Sequence, residues 1–140
     1  MKLLLDTHIW IWSVQEPWKL SSEVAREIVQ PENELFLSPV SIWELSILTE
    51  RKRVVLNLDF GQWCKTSIQE LSLKEAPLTW DVAGEIPFTR FLHRDPGGRF
   101  LVATAKVFDL TLVTADERLI EVPGLKVLAN QSTLYGRKGS

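Results

Sequence analysis

Short apolar runs along this chain alternate with segments whose apolar side chains recur every three or four residues. The runs are rich in leucine and β-branched residues, which is typical of strands buried inside a sheet. The predicted strands lie at residues 3–5, 35–37, 73–78, 111–114 and 125–128. The recurring segments fit one face of a helix. The predicted helices lie after residue 6, at about 39–50, 58–71, 80–86 and 96–108, and from residue 116. This alternation predicts an α/β fold with a mostly parallel sheet covered by helices on both faces.

The composition fits one compact domain with a substantial core, since 45% of the 140 residues are hydrophobic and 24% are charged. We expect a single domain at residues 1–135 and a flexible polar tail at 136–140. Cys64 is the only cysteine, which excludes an internal disulfide and a zinc site built from several thiolates. No apolar run is long enough for export or for crossing a membrane, so a cytoplasmic location is expected.

Four acidic residues lie where a predicted strand passes into a helix: Asp6, Glu44, Asp95 and Asp116. In parallel α/β sheets, ligands bind beyond the carboxyl ends of the strands, and all four residues fall there. Carboxylates gathered from such distant segments indicate a divalent metal site, and hard oxygen ligands suit Mg²⁺ or Mn²⁺. The net charge is −2, so a nucleic-acid partner would have to be held by a local basic patch or through bound metal.

Capping offers an alternative explanation for Asp6 and Asp95. Aspartate is a favoured N-cap, and Asp6 directly precedes the first predicted helix. Asp95 precedes Pro96, and proline is favoured at the first helical position. For these two residues the capping and metal-binding interpretations both remain open.

Glu44 and Asp116 could also belong to capping boxes. Ser41 and Glu44 match the pattern S-x-x-E, and Thr114 and Glu117 match it around Asp116. Glu44 nevertheless shares a helix face with apolar side chains, which favours a position facing the sheet.

Basic and aromatic residues add two weaker indications. Arg94 and Arg99 could belong to a rim that binds RNA phosphates. Trp10, Trp12 and Trp43 are more aromatic surface than one small core easily hides, which favours self-association or the binding of a partner helix.

Four segments taken together closely resemble the PIN-domain family, and within it the VapC-type toxins of bacterial toxin–antitoxin pairs. They are LLLDTHIWIW, SPVSIWELSIL, HRDPGGRFLVATA and LVTADERL, and the resemblance runs over residues 2–128. It implies a three-layer α/β/α fold and an endoribonuclease that depends on Mg²⁺ or Mn²⁺. It further implies an RNA substrate such as tRNA or rRNA, a homodimer, and neutralisation by a cognate antitoxin protein.

The resemblance assigns the catalytic metal ligands to Asp6, Glu44 and Asp116, with Thr114 as a neighbouring hydroxyl. Related sequences read D-P-x-D-R before the following helix, whereas this chain has Gly98 at the position of the second aspartate. Three explanations are open. The enzyme is weakened or inactive, Asp95 bends in as a replacement ligand, or the glycine amides bind phosphate.

Three hypotheses of function follow from these observations. The first is an active nuclease with a rearranged site. The second is a catalytically impaired PIN domain that acts as a module for binding antitoxin or RNA. The third, a phosphatase of the haloacid-dehalogenase type, requires a second aspartate two residues after Asp6, where this chain has His8.

Overall fold

The computed structural model describes residues 1–131, which are arranged around one five-stranded sheet. The strands are β1 (Lys2–Leu5), β2 (Glu34–Leu37), β3 (Lys74–Glu75), β4 (Thr111–Thr114) and β5 (Val127–Ala129). The helices are α1 (Thr7–Gln15), α2 (Ser22–Val29), α3 (Pro39–Glu50), α4 (Phe60–Glu70), α5 (Trp80–Glu85), α6 (Pro96–Phe108) and α7 (Glu117–Ile120). Short 3₁₀ segments occupy Pro17–Lys19 and Ile86–Leu92.

The sheet is parallel throughout, with the order β3-β2-β1-β4-β5. Strand β1 is central, and its side chains alternate between the two faces as the pleat requires. Leu3 and Leu5 pack on one face with residues of α1 to α4, including Trp10. Leu4 packs on the other face with residues of α6 and α7, including Leu101. The predicted α/β fold with helices on both faces is confirmed.

The weaker sequence predictions were less accurate at the edges of the sheet. Strand β3 is two residues long instead of six, and β5 begins at Val127 instead of Leu125. Strand β3 pairs only with β2, so few contacts fix its length. The helix α2 and the 3₁₀ segment Ile86–Leu92 were not predicted. The proposed polar tail at 136–140 lies outside the described residues.

The tryptophans of α1 do not need a second chain to cover them. Trp10 is fully buried; its indole N–H donates to Ser67 Oγ at 3.0 Å, and its ring meets Trp63 edge-on at 5.0 Å between centroids. Trp12 is half-buried against the same core. Trp43 on α3 is the third tryptophan on which the prediction of self-association rests, and it is 51% exposed, so self-association stays a prediction. Within residues 1–131, no helix has the length and apolar character needed to cross a membrane.

Candidate active site

A cleft of about 560 Å³ opens at the carboxyl ends of the strands. Strands β2, β1 and β4 are neighbours and parallel, so the residues that follow them reach the same edge of the sheet. The four acidic residues predicted from the sequence, Asp6, Glu44, Asp95 and Asp116, all line this cleft. The structure therefore brings together carboxylates separated by up to 110 positions in the chain.

Asp6 both caps a helix and faces the cleft. Its Oδ1 accepts from the Thr7 amide at 2.7 Å, and its Oδ2 accepts from Thr114 Oγ1 at 2.5 Å. Desolvation by burial raises the pKa of the Asp6 carboxyl, and the hydrogen bond from Thr114 opposes that shift. The Thr114 hydroxyl also accepts from the Asp116 amide at 3.0 Å, so it connects the two acidic residues. Its position matches the neighbouring hydroxyl that the resemblance implied.

Glu44 is not part of a capping box. Helix α3 begins at Pro39, and its cap is Ser38, whose hydroxyl accepts from the Val40 amide at 3.0 Å. Ser41 consequently lies inside the helix, and the Glu44 carboxylate turns toward the cleft. Burial is the main cause of a raised pKa at Glu44. The capping alternative for this residue was wrong because the proline starts the helix three residues earlier than the S-x-x-E pattern requires.

The Thr7 hydroxyl holds the Glu44 carboxylate, and the Ser41 hydroxyl in turn contacts Thr7. Thr7 Oγ1 lies 2.5 Å from Glu44 Oε1 and 2.9 Å from Ser41 Oγ. A hydroxyl carries a single hydrogen, so Thr7 donates to the carboxylate and accepts from Ser41. Thr7 and Ser41 are both buried, which fixes this chain of hydrogen bonds against the sheet. Thr7 was not among the site residues predicted from the sequence, where its only signal was a hydroxyl directly after Asp6.

Asp116 caps helix α7 and binds an arginine that the sequence analysis missed. Its Oδ1 accepts from the Arg118 amide at 2.9 Å, so Asp116 is the cap and the Thr114–Glu117 capping box is not formed. The Arg118 guanidinium also binds both carboxylate oxygens, and these hydrogen bonds lower the pKa of Asp116. The signal in the sequence was an arginine two residues after the acid, at the first turn of a helix.

Asp95 occupies the space that Gly98 leaves open. Its Oδ1 accepts from the Gly98 amide at 2.9 Å, which caps α6, and its Oδ2 lies 3.1 Å from Arg118 Nη2. A Cβ atom built on Gly98 would collide with this carboxylate. Asp95 thus lines the cleft, and its function as a replacement ligand stays a prediction. The Gly98 amide is already engaged, which weakens the explanation in which glycine amides bind phosphate.

Gly97 allows a second close approach. A Cβ atom at this position would collide with the Glu44 carboxylate. The start of α6 therefore lies directly against the acid on α3, and a larger residue at position 97 would require the Glu44 carboxylate to move.

Arg99 faces away from the cleft. Its Nε donates to Thr89 Oγ1 and its Nη2 donates to the Ile86 carbonyl, each at 3.1 Å. These bonds tie α6 to the 3₁₀ segment Ile86–Leu92, which favours a structural function over the predicted RNA contact. Arg94 is exposed beside Asp95 in the chain and remains a candidate for binding RNA.

The acids as placed do not fit a resident metal ion, although their oxygen atoms are the donors that Mg²⁺ or Mn²⁺ prefers. Across residues 1–131, no group of three or more His, Cys, Asp or Glu side chains is arranged to hold one. The inward-facing oxygens instead accept from Thr7, Thr114 and Arg118.

Part of the lining of the cleft is apolar. It is formed by Trp12, Trp43, Ile47 and Leu48. Trp43 directly precedes Glu44 in the chain, and 51% of its surface is exposed. A ligand in this cleft would thus meet both acidic groups and aromatic surface.

A parallel α/β sheet with acidic residues collected at its carboxyl edge is the arrangement that the sequence resemblance implied. The family model described as PIN domain matches residues 3–125. The chain therefore belongs to the PIN-domain family. It is also 31% identical to Ribonuclease VapC22 of Mycobacterium tuberculosis, over 84% of this chain and 88% of that protein. The resemblance to VapC-type members of the family is confirmed.

Solved structures support the same fold. The chain is similar to a chain in the crystal structure of VapBC2 from Rickettsia felis, which is bound to a DNA fragment from the VapBC2 promoter. The TM-score is 0.69 and the identity 15%, and the match covers 94% of this chain and 100% of that one. It is also similar to a toxin–antitoxin complex from Klebsiella pneumoniae, with a TM-score of 0.64, 18% identity, and coverage of 93% and 98%. These likenesses confirm the three-layer α/β/α fold.

Proposed function

We propose that the chain is an endoribonuclease toxin that cuts RNA, such as tRNA or rRNA, with Mg²⁺ or Mn²⁺ as its cofactor. The observation that carries this proposal is the convergence of Asp6, Glu44, Asp95 and Asp116 on one cleft at the carboxyl edge of the sheet. The relative with 31% identity is itself named a ribonuclease, which supports the same reaction.

The proposed partners are an antitoxin protein and a second copy of this chain, in the cytoplasm. The structural neighbours include toxin–antitoxin complexes, which supports the antitoxin. The homodimer comes from the family resemblance. Apolar surface is available for it at Trp18, Trp80 and Phe88, whose side chains are 70% exposed or more.

In the proposed reaction, Glu44 holds and activates the water that attacks the phosphodiester. Burial raises the pKa of the Glu44 carboxyl, which makes its carboxylate a stronger base. Thr7 and Ser41 fix the direction in which the carboxylate points. Asp6 and Asp116 would supply negative charge toward the cofactor. Thr114 links the two residues, because its hydroxyl donates to the Asp6 carboxylate and accepts from the Asp116 amide.

Substitution of Glu44 tests this proposal. We expect the purified chain to cut single-stranded RNA with Mn²⁺ or Mg²⁺, to lose activity with chelator, and to be slowed at least ~100-fold by Glu44→Gln. Glu50→Gln is the matched control, because Glu50 is exposed at the end of the same helix. Gel electrophoresis of end-labelled RNA measures the rates. Equal rates for the two variants would contradict the assignment of Glu44.

Gly97→Ala should weaken cleavage through Glu44. The added methyl group requires the Glu44 carboxylate to move, so we expect at least a ~10-fold slower reaction. Gly61→Ala is the control, since a Cβ atom there meets nothing within 4 Å in helix α4. It should leave cleavage unchanged and raise the free energy of unfolding by up to ~1 kcal/mol. Cleavage by Gly97→Ala at the wild-type rate would show that the close approach is not needed.

The second candidate is a catalytically impaired PIN domain that binds antitoxin or RNA without cutting. Gly98 favours it, because this chain lacks a carboxylate where the family pattern has one. The two candidates share a fold and partners, and they differ in whether the cleft retains enough acidic ligands for the cofactor.

A further inference from the structure

Arg118 is the only lysine or arginine that lines the cleft in the part of the chain that the structure describes. Its guanidinium donates two hydrogen bonds to the Asp116 carboxylate, with Nε 3.1 Å from Oδ1 and Nη2 2.7 Å from Oδ2. The same Nη2 lies 3.1 Å from Asp95 Oδ2. A planar guanidinium suits such two-point binding of a carboxylate, whereas an ammonium group acts as a point charge. Arg118 thus bridges two acids from separate helices.

The bridge depends on the glycine at position 98. Asp95 Oδ2, the oxygen that Arg118 binds, lies in the space that a side chain at Gly98 would need. An aspartate in that position would push the Asp95 carboxylate aside and separate it from Arg118. The glycine at position 98 thus has two linked effects: it removes the acid of the family pattern, and it leaves room for the ion pair between Asp95 and Arg118.

We propose that Arg118 is an internal cation, which occupies the acidic cleft in place of a divalent ion and has to release Asp95 and Asp116 before that ion binds. This inference rests on the proposed metal-dependent function. It accounts for the mismatch between the acids of the cleft and a metal site, because the guanidinium engages oxygens that an ion would use.

The ion pair can be displaced. The Arg118 side chain is 61% exposed, and an ion pair with so exposed a partner is weak and exchanges readily with solvent. A divalent ion carries twice the charge of the guanidinium and competes for the same oxygens. Arg118 should therefore raise the metal concentration that the protein needs without abolishing binding.

The test is the affinity of the full chain for Mn²⁺, measured from the electron paramagnetic resonance signal of free Mn²⁺. Arg118→Gln should bind Mn²⁺ roughly 10-fold more tightly than the wild type, because it removes a positive charge that lies within hydrogen-bonding distance of the carboxylate oxygens an ion would use. Arg118→Lys should also bind Mn²⁺ more tightly than the wild type, but less tightly than Arg118→Gln. Lysine keeps the positive charge but lacks the planar guanidinium that binds both carboxylate oxygens. Arg94→Gln is the control, because Arg94 is exposed next to Asp95 in the chain.

Arg94→Gln should stay within about twofold of the wild type, since the charge of an exposed, solvated side chain is largely screened. Equal affinities for the wild type and Arg118→Gln would overturn the inference, as would the same gain in Arg94→Gln. If Arg118→Gln does not fold, Arg118→Lys decides, and unchanged affinity in that variant overturns the inference. If no variant binds Mn²⁺, the inference fails together with the proposed cofactor. Metal-dependent cleavage by the wild type with equal affinities would overturn the Arg118 inference alone.

Discussion

Gly98→Asp should increase metal-dependent RNA cleavage by about 100-fold. The substitution restores the acid that the D-P-x-D-R pattern of related sequences contains, and loss of groups that support a metal site commonly costs 10- to 100-fold in affinity or rate. The new side chain would also displace the Asp95 carboxylate and break its contact with Arg118. The measurement is the initial rate of cleavage of a mixed RNA pool over a range of Mg²⁺ concentrations.

Gly98→Ala separates the two effects of that substitution. Alanine displaces Asp95 as aspartate does, yet it adds no carboxylate. If the missing ligand limits the enzyme, only Gly98→Asp gains activity, and this outcome defines the wild type as a weakened nuclease. If Asp95 has taken over as a ligand, the wild type cuts RNA and Gly98→Ala is slower. Equal activity in all three proteins would show that position 98 does not limit the reaction.

The central strands could be predicted from the sequence because burial on both faces leaves a continuous apolar run. Strands β1, β2 and β4 are of this kind, and the predicted bounds match within one residue. The edge strand β3 carries Lys74 and Glu75, which are exposed, so its short ladder leaves no such pattern. The 3₁₀ segment Ile86–Leu92 contains Pro87 and lacks the periodicity of an α-helix.

The acids of the site could be predicted because their location depends only on topology. Any residue that follows one of the parallel central strands reaches the same edge of the sheet. The backbone alone therefore brings Asp6 and Asp116 close together. Their partners depend on tertiary contacts that the sequence does not display. Thr7 meets Glu44 across 37 positions, and Arg118 meets Asp95 across 23. Both contacts form only after α1, α3, α6 and α7 have packed around the cleft.

Asp6→Asn should abolish function and stabilise the fold at neutral pH. We expect RNA cleavage to fall at least ~100-fold, because the cleft loses the carboxylate at its centre. Asparagine keeps the shape: its oxygen can accept from the Thr7 amide, and its amide can donate to Thr114. The melting temperature at pH 7 should rise by roughly 3 °C, the size of shift that about 1 kcal/mol gives in a domain of this length.

The stabilisation by Asp6→Asn should depend on pH in a defined direction. Burial raises the pKa of Asp6 above its ordinary value of 3.8, so the folded state prefers the protonated form. The wild type is therefore stabilised below about pH 4 and loses that stability as the pH rises through the folded-state pKa. Asparagine has no charge to lose. The advantage of Asp6→Asn should consequently be absent near pH 3.5 and should grow as the pH rises toward 7.

Thermal unfolding in chelator between pH 3.5 and 7 measures this difference without interference from metal ions. Asp81→Asn is the matched control, since Asp81 lies exposed in the first turn of α5. Its effect on the melting temperature should not follow the pH dependence of Asp6→Asn. If Asp6→Asn instead destabilises the protein at pH 7, then the Asp6 carboxylate is held by its hydrogen bonds more strongly than burial opposes it. A stabilised but inactive variant would show that the chain keeps a charge at the centre of its cleft at the expense of its own stability.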